Sequence, residues 1–238
     1  MLDAFDKAGI TYTINETTPG CIVLPNGTRT EELVKADEDA VVQDLSSQRV
    51  AALLPAKPET EFRVWDCCAA SGGKSIMASD HYGNINLTVT DIRENILVNL
   101  RQRFQRAGIT GYKSFVADLG STAFLKNREL AAKRFNLIIA DLPCSGSGTW
   151  GRTPEHLVYF KEEKLSHYTS LQRRIIDNST GLLEEGGYYL YITCSVYTGE
   201  NEDAVGYMKS RGLKPLSVQY FKGYEEKADT MFAALMMK

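Results

Sequence analysis

At 238 residues, 43% hydrophobic and 24% charged, the chain is long enough to bury one sizeable core and to carry a small appendage. No apolar run approaches the ~20 residues of a membrane helix, and no low-complexity tract or internal repeat occurs, so membrane-spanning, fibrous and disordered classes fall away. A net charge of −3 gives no bulk attraction to a polyanion, so any phosphate-binding surface must be a local patch.

Residues 1–60 differ in texture from the rest, with the boundary near residue 40 or 60, and the first 40 stand apart. They hold short apolar stretches (ITYTI, CIVL), turn signals at Pro19-Gly20 and Pro25-Asn26-Gly27, and an acidic segment over 31–39. They read as a small appendage, a possible RNA-binding remnant, ahead of a main domain over 41–238. Residues 41–54 (VVQDLSSQRVAALL) have helical spacing behind a Ser46-Ser47 start, and Pro55 and Pro58 separate them from the first strand.

From residue 60 onward apolar runs alternate with helical segments, the pattern of βαβ units on a mostly parallel sheet. Strands are expected over 62–66, 85–91, 112–118, 135–141 and 188–194. Four of these five end in aspartate: Asp66, Asp91, Asp118 and Asp141. Helices are expected over 73–80, 94–107, 122–134, 162–183 and about 201–210, the fourth closed by Gly186-Gly187. Residues 213–220 and 230–237 read as two closing strands. The fold class is therefore expected to be α/β, a doubly wound, mostly parallel seven-stranded sheet behind the appendage.

Open sheets of this kind collect ligands at the carboxyl ends of their strands, so the residues there carry the chemistry. After the first strand, DCCAASGGKS offers small residues for close backbone approach and a glycine pair opening a helix, whose free amides favour an anionic group. A P-loop would need glycine where this chain has Cys68, and Asp66 would crowd a phosphate. Asp91, about 20 residues past the glycines, suits ribose hydroxyls instead. A nucleoside cofactor without an essential phosphate fits.

Cys144 (DLPCSGSG) and Cys194 (YITCS) each close an apolar run at a strand end. The chain has five cysteines, an odd number, no signal-peptide pattern over residues 1–20 and no C-x-x-C pair, and its three histidines lack ligand spacing. Free thiols in the reducing cytoplasm and no metal are expected.

These motifs together resemble the Sun (Fmu, RsmB) family of S-adenosylmethionine-dependent RNA cytosine-C5 methyltransferases, over roughly residues 41–238. The family's cofactor loop, D-x-C-A-A-P-G-G-K-T, is met by Asp66-Cys67-Cys68-Ala69-Ala70-Ser71-Gly72-Gly73-Lys74-Ser75, with serine for proline. Its D-x-P-C-S-G-x-G is matched in full over 141–148, and its T-C-S by Thr193-Cys194-Ser195, followed by Glu200-Asn201-Glu202. The resemblance implies a Rossmann-like class I methyltransferase.

By the same resemblance Asp91 binds the cofactor ribose and Asp118 the adenine edge. The loop of Cys68, Ala69, Ala70, Ser71, Gly72, Gly73 and Lys74 wraps the methionine moiety, and Asp141 stands beside both cofactor and target base. Cys194 is implied as the nucleophile that adds to cytosine C6, Asp141 as the donor to N3, and Cys144 as the group assisting release. The partner is RNA with an unpaired or flipped cytosine, since C6 is unreachable within a stack. A monomer is expected.

Arg152 and Lys74 are the RNA-contact candidates. Arg101, Arg103 and Arg106 could form a basic stripe but read better as a solvated face, and Trp150 and Tyr159 are stacking candidates with core packing as the alternative. Ser71 loosens a loop that proline would rigidify, and Gly151 stands where the family often has a further arginine. A free thiol ionises only near pH ~8.5. The helix N-terminus after the T-C-S turn, the sulfonium of the cofactor and Lys74 all remain open as the thiolate's stabiliser. Two other readings also remain: a DNA cytosine-C5 enzyme using Cys144 as nucleophile, and a catalytically silent RNA assembly factor.

Overall fold

The computed structural model describes all residues except Asn26 and Thr60; the expected turn at Pro25-Asn26-Gly27 therefore lies partly outside the described residues. The chain opens with α1 (Leu2–Lys7) and a two-stranded antiparallel hairpin of β1 (Thr13–Ile14) and β2 (Ile22–Val23). Asp44 accepts hydrogen bonds from the backbone N–H groups of Ser46 and Ser47 and so starts α2 (Leu45–Arg49), which tightens into a 3-10 turn over Val50–Leu53. The expected start at Ser46-Ser47 is therefore corrected: these two residues supply the amides and Asp44 is the cap.

The main sheet is built from β3 (Arg63–Asp66), α3 (Gly73–Tyr82), β4 (Asn86–Asp91), α4 (Glu94–Arg106), β5 (Lys113–Val116), α5 (Arg128–Ala131), β6 (Phe135–Asp141), α6 (Pro154–Tyr159), α7 (Glu163–Thr180), β7 (Leu183–Thr193), α8 (Glu202–Ser210), β8 (Lys214–Lys222) and β9 (Thr230–Met237). The seven strands lie in the order β5-β4-β3-β6-β7-β9-β8. The first five run parallel, and β9 is antiparallel to both of its neighbours.

Both faces of the central strands are buried, which is why they read as near-continuous apolar runs, whereas the edge strands β5 and β8 are largely exposed. Alternate residues serve opposite cores. Trp65, Ile138, Ala140, Tyr189 and Tyr191 face one, and Val64, Leu137, Ile139, Leu190 and Ile192 the other. The amphipathic α4 lays Leu97, Leu100 and Phe104 on the second core.

Three expected elements are corrected. The helix over 122–134 is a 3-10 turn (Thr122–Lys126) and the single turn of α5, because Asn127 leaves helical geometry and its side chain caps a new start at Leu130 N–H. The helix over 162–183 ends at Thr180. Gly186 and Gly187 do not cap it; they lie within the early part of β7, where Gly186 takes φ +74°. The third strand stops at Val116, so Asp118 sits two residues beyond it. Among the described residues no helix is long and apolar enough to cross a membrane.

Candidate functional site

Strand order reverses at β3, with β4 on one side and β6 on the other, so the loops leaving their carboxyl ends part and leave a cleft of about 790 Å³. Its lining includes Asp66, the residues 67–71, Gly73, Lys74, Asp91, Asp118, Asp141, Cys144, Arg152 and Cys194. The structure thus brings to one cavity all of the expected site residues except Gly72, which lies beneath the loop. A Cβ at Gly72 would come within 2.6 Å of the Phe104 ring, so only glycine allows the loop to seat on α4 with φ +88°.

The loop is held from several sides. Ala69 N–H donates to the Thr90 carbonyl at 2.9 Å, and Ala70 N–H to Asp91 Oδ2 at 3.0 Å. Beneath it Ser75 Oγ–H donates to Asp66 Oδ2 at 2.6 Å, while Asp66 Oδ1 is buried with no hydrogen-bond partner. Burial, with Asp141 and Asp91 nearby, pushes the Asp66 carboxyl up to about 7 against the relief offered by Ser75 and Lys74.

This orphaned acceptor at the floor of the cleft suits a cationic ligand group. S-adenosylmethionine carries two, an ammonium and a sulfonium, so the residues present fit that cofactor. Asp91 accepts from Arg93 through its backbone N–H and guanidinium as well as from Ala70. Burial alone would raise the Asp91 carboxyl, but the Arg93 bonds, with Ala70, hold it below the ordinary carboxylate range. Asp118 accepts from Gly120 N–H at 2.9 Å and lies beside Leu119, Leu171 and Ile175, an apolar wall for a flat ring.

Across the cleft the two cysteine loops meet. Cys144 Sγ lies 3.3 Å from Cys194 Sγ. Its hydrogen bond with Cys194, and then burial, push the Cys144 thiol well up, so it keeps its proton. Lys74 Nζ is 3.1 Å from Asp141 Oδ2 and donates to Ser47 Oγ at 2.6 Å. Gly148 N–H donates to the Cys194 carbonyl at 2.9 Å, and a Cβ on Gly148 would fall 1.9 Å from the Thr230 carbonyl oxygen. Glycine is what lets this loop lie against β9.

Glu200 was legible only as part of a motif, without a task. It is fully buried and accepts from Ser145 N–H at 2.8 Å and from Ser195 Oγ–H at 2.5 Å. One carboxylate thereby pins both cysteine loops. Asn201 adds a bond to the Ser195 carbonyl at 2.8 Å and accepts from Thr193 Oγ–H at 2.6 Å.

The basic candidates Lys74, Arg103, Arg106 and Arg152 turn out to be engaged, while Arg101 is exposed. Arg152 pairs with buried Asp229 through two hydrogen bonds, 2.7 and 3.2 Å, at the cleft rim. Arg103 and Arg106 both pair with Asp37 of the N-terminal segment, and so do not form a free stripe. Trp150 packs against Phe160 and Tyr197, with ring centroids 5.0 and 6.2 Å away, whereas Tyr159 is 76% exposed. Among the described residues no group of three or more His, Cys, Asp or Glu is placed to hold a metal ion.

The family model described as 16S rRNA methyltransferase RsmB/F matches residues 50–234. A curated relative, "Ribosomal RNA small subunit methyltransferase B" of Xanthomonas campestris, is 31% identical over 85% of this chain. The chain spans 48% of that relative's length. Two solved structures share the fold. NSun6 from Pyrococcus horikoshii with SFG has a TM-score of 0.75 at 22% identity, covering 91% of this chain and 57% of its own. A methyltransferase homolog from the same organism has a TM-score of 0.79 at 19% identity, covering 100% of this chain and 81% of its own. The chain belongs to the RsmB/F family of 16S rRNA methyltransferases.

Proposed function

We propose that the cleft binds S-adenosylmethionine and that the chain methylates C5 of an unpaired cytosine in RNA through a covalent bond between Cys194 and C6. The observation that carries this reading is the pair of sulfurs 3.3 Å apart beside Asp141, at the mouth of a cleft floored by the cofactor loop. A single thiol would not need a second one aimed at it.

The chemistry rests on the electronics of the base. C5 of cytosine is a poor nucleophile until a sulfur adds to C6, which turns C5 into an enamine-like carbon. Cys194 Sγ forms that bond as a thiolate, and the Cys144 S–H, held protonated, stabilises it by hydrogen bonding to the same sulfur. Asp141, with Lys74 Nζ 3.1 Å from its carboxylate, is the group that would meet negative charge built up at N3. The bound cofactor supplies the methyl group to C5.

Release reverses the first step. The C5 proton passes to water, its electron pair restores the C5–C6 double bond, and the bond from C6 to Cys194 Sγ breaks. Cys144 assists by hydrogen bonding to the departing thiolate, while Glu200 keeps the two loops in register. Arg152 at the rim is the RNA contact, once its bond to Asp229 is shared or exchanged.

Methyl transfer from labelled S-adenosylmethionine to unmodified RNA, mapped by bisulfite, tests the reading. Cys194→Ala should lose at least about a thousandfold in rate, as when a nucleophile is removed, and form no adduct. Cys144→Ala should instead accumulate an RNA adduct that survives denaturation. Normal activity in Cys194→Ala would overturn the roles and favour the DNA-type use of Cys144. Cofactor binding with no labelled RNA would favour an assembly factor.

A further inference from the structure

The cofactor loop is built under strain where Ala70 meets Ser71. Ala70 holds φ +47°, the left-handed region that a residue with a Cβ adopts only when its surroundings hold it there. On one side the Ala70 N–H is fixed by Asp91 Oδ2. On the other, Arg103 Nη1 donates to the Ser71 carbonyl at 3.2 Å and to Ser71 Oγ at 3.1 Å.

Arg103 is itself fixed from behind. Its Nε and Nη2 donate to Asp37 Oδ1 at 2.9 and 2.7 Å, and Asp37 Oδ2 accepts from Arg106 at 2.8 Å. Asp37 stands in a tight turn with φ +68°, its N–H bonded to the Ala40 carbonyl at 2.8 Å. Isolated surface ion pairs contribute little to stability. Here, though, the Asp37 side chain is only 8% exposed and the Arg103 side chain 19%. The Arg103 hydrogen bonds, reinforced by Arg106 and opposed by burial, hold the Asp37 carboxyl below its ordinary range. The guanidinium spends two donors on Asp37 and turns a third to the loop, a geometry that its planar fork permits and an ammonium does not.

We propose that Arg103 and Asp37 are positioning residues for cofactor binding: the clamp Asp37–Arg103–Ser71 holds the left-handed Ala70 and its neighbour Ser71 in the conformation that shapes the loop. The N-terminal segment then acts on the cofactor site without touching the cofactor. The inference rests on the cleft being the S-adenosylmethionine site. Ser71 N–H donates no hydrogen bond among the described residues, so proline there removes no backbone bond; it removes the Ser71 Oγ acceptor and leaves Arg103 the Ser71 carbonyl.

A double-mutant cycle tests it, with S-adenosylmethionine dissociation constants from calorimetry and amide exchange at residues 70–73 in the ligand-free protein. Arg103→Met should weaken binding on the order of tenfold and speed loop exchange, the scale of one or two charge-assisted hydrogen bonds. In the Ser71→Pro background the same change should cost less than about twofold, since the backbone is then restrained by the ring. Asp37→Asn, which tolerates the left-handed backbone, should weaken binding by about threefold, as a partner of the clamp with its charge removed. Unchanged affinity in Arg103→Met would overturn the clamp, even with a lowered melting temperature. An equal loss in both backgrounds would also overturn it, because Arg103 would then touch the cofactor itself. A wild-type protein that does not bind S-adenosylmethionine would sink the cofactor reading instead.

Discussion

Asp66 shows what a single residue at the cleft floor costs and provides. A carboxyl raised on folding from about 4 to about 7 favours its neutral form, so the folded state carries no penalty below about pH 4 and a growing one as pH rises towards 7. Roughly three units correspond to about 4 kcal/mol at full ionisation. Ligand-free Asp66→Asn should therefore be more stable than wild type at pH 7.5, and the two should converge near pH 4, as read from denaturant midpoints. Cofactor affinity should run the other way. Only ionised Asp66 offers charge to a cationic ligand, so S-adenosylmethionine should bind more tightly to wild type as pH rises from 6 to 7.5, and the slope should vanish in Asp66→Asn. A slope that survives the substitution would assign the proton to another group. At the outer wall, Arg93 donates to both oxygens of Asp91 that ribose hydroxyls would need. Its side chain is 56% exposed. Arg93→Ala should thus tighten cofactor binding a few-fold, by less than about 1 kcal/mol, the scale of an exposed pair; weaker binding in calorimetry would mean that Arg93 holds the ribose rather than competing with it.

Among the elements, the loop from β6 into the 3-10 turn at Ser147–Thr149 is fixed by contact rather than by propensity. Gly148 lies so close to β9 that a methyl group there would force the backbones apart. Gly148→Ala should lower methyl transfer by at least about a hundredfold, because a displacement of about 1 Å near the chemistry has that effect. S-adenosylmethionine affinity should stay within threefold, since the loop of residues 67–72 rests on β4 and α4 instead. Loss of both would show that the two loops move as one unit. The parallel core was legible in the sequence because strands such as FNLIIAD are apolar on both faces, and the cleft because Asp66, Asp91 and Asp141 close their strands. The misses have local causes. Asn127 could be read either as a helical residue or as a cap, and the glycines at 186 and 187 either as a stop or as strand residues. The six residues of α6 start behind a visible Thr153-Pro154-Glu155 signal but are too short to show a period. Pairings distant in sequence were not legible at all: Arg152 with Asp229, Arg103 with Asp37, and the burial of Glu200 between two loops.

At the scale of the whole molecule those pairings set how the surface would meet RNA under the proposed function. The chain has 27 Lys and Arg against 30 Asp and Glu, and the cations around the cleft are each matched: Arg152 to Asp229, Arg103 and Arg106 to Asp37, Arg93 to Asp91, Lys74 to Asp141. A cation that already holds a carboxylate releases few counterions on meeting a phosphate. Binding of single-stranded RNA should therefore depend only weakly on salt. Each neutralised phosphate contributes a slope of about −0.7 in log affinity against log salt, so two or three contacts give about −2 at most. Fluorescence anisotropy of a labelled RNA between 50 and 300 mM salt reads this directly, with about those concentrations bracketing physiological screening. Arg152→Ala should flatten the slope by less than one unit, while Asp229→Asn, which frees the guanidinium, should steepen it and tighten binding at low salt. A wild-type slope steeper than about −4 would require a basic surface that the ion pairs do not quench, and would move RNA recognition away from the cleft rim.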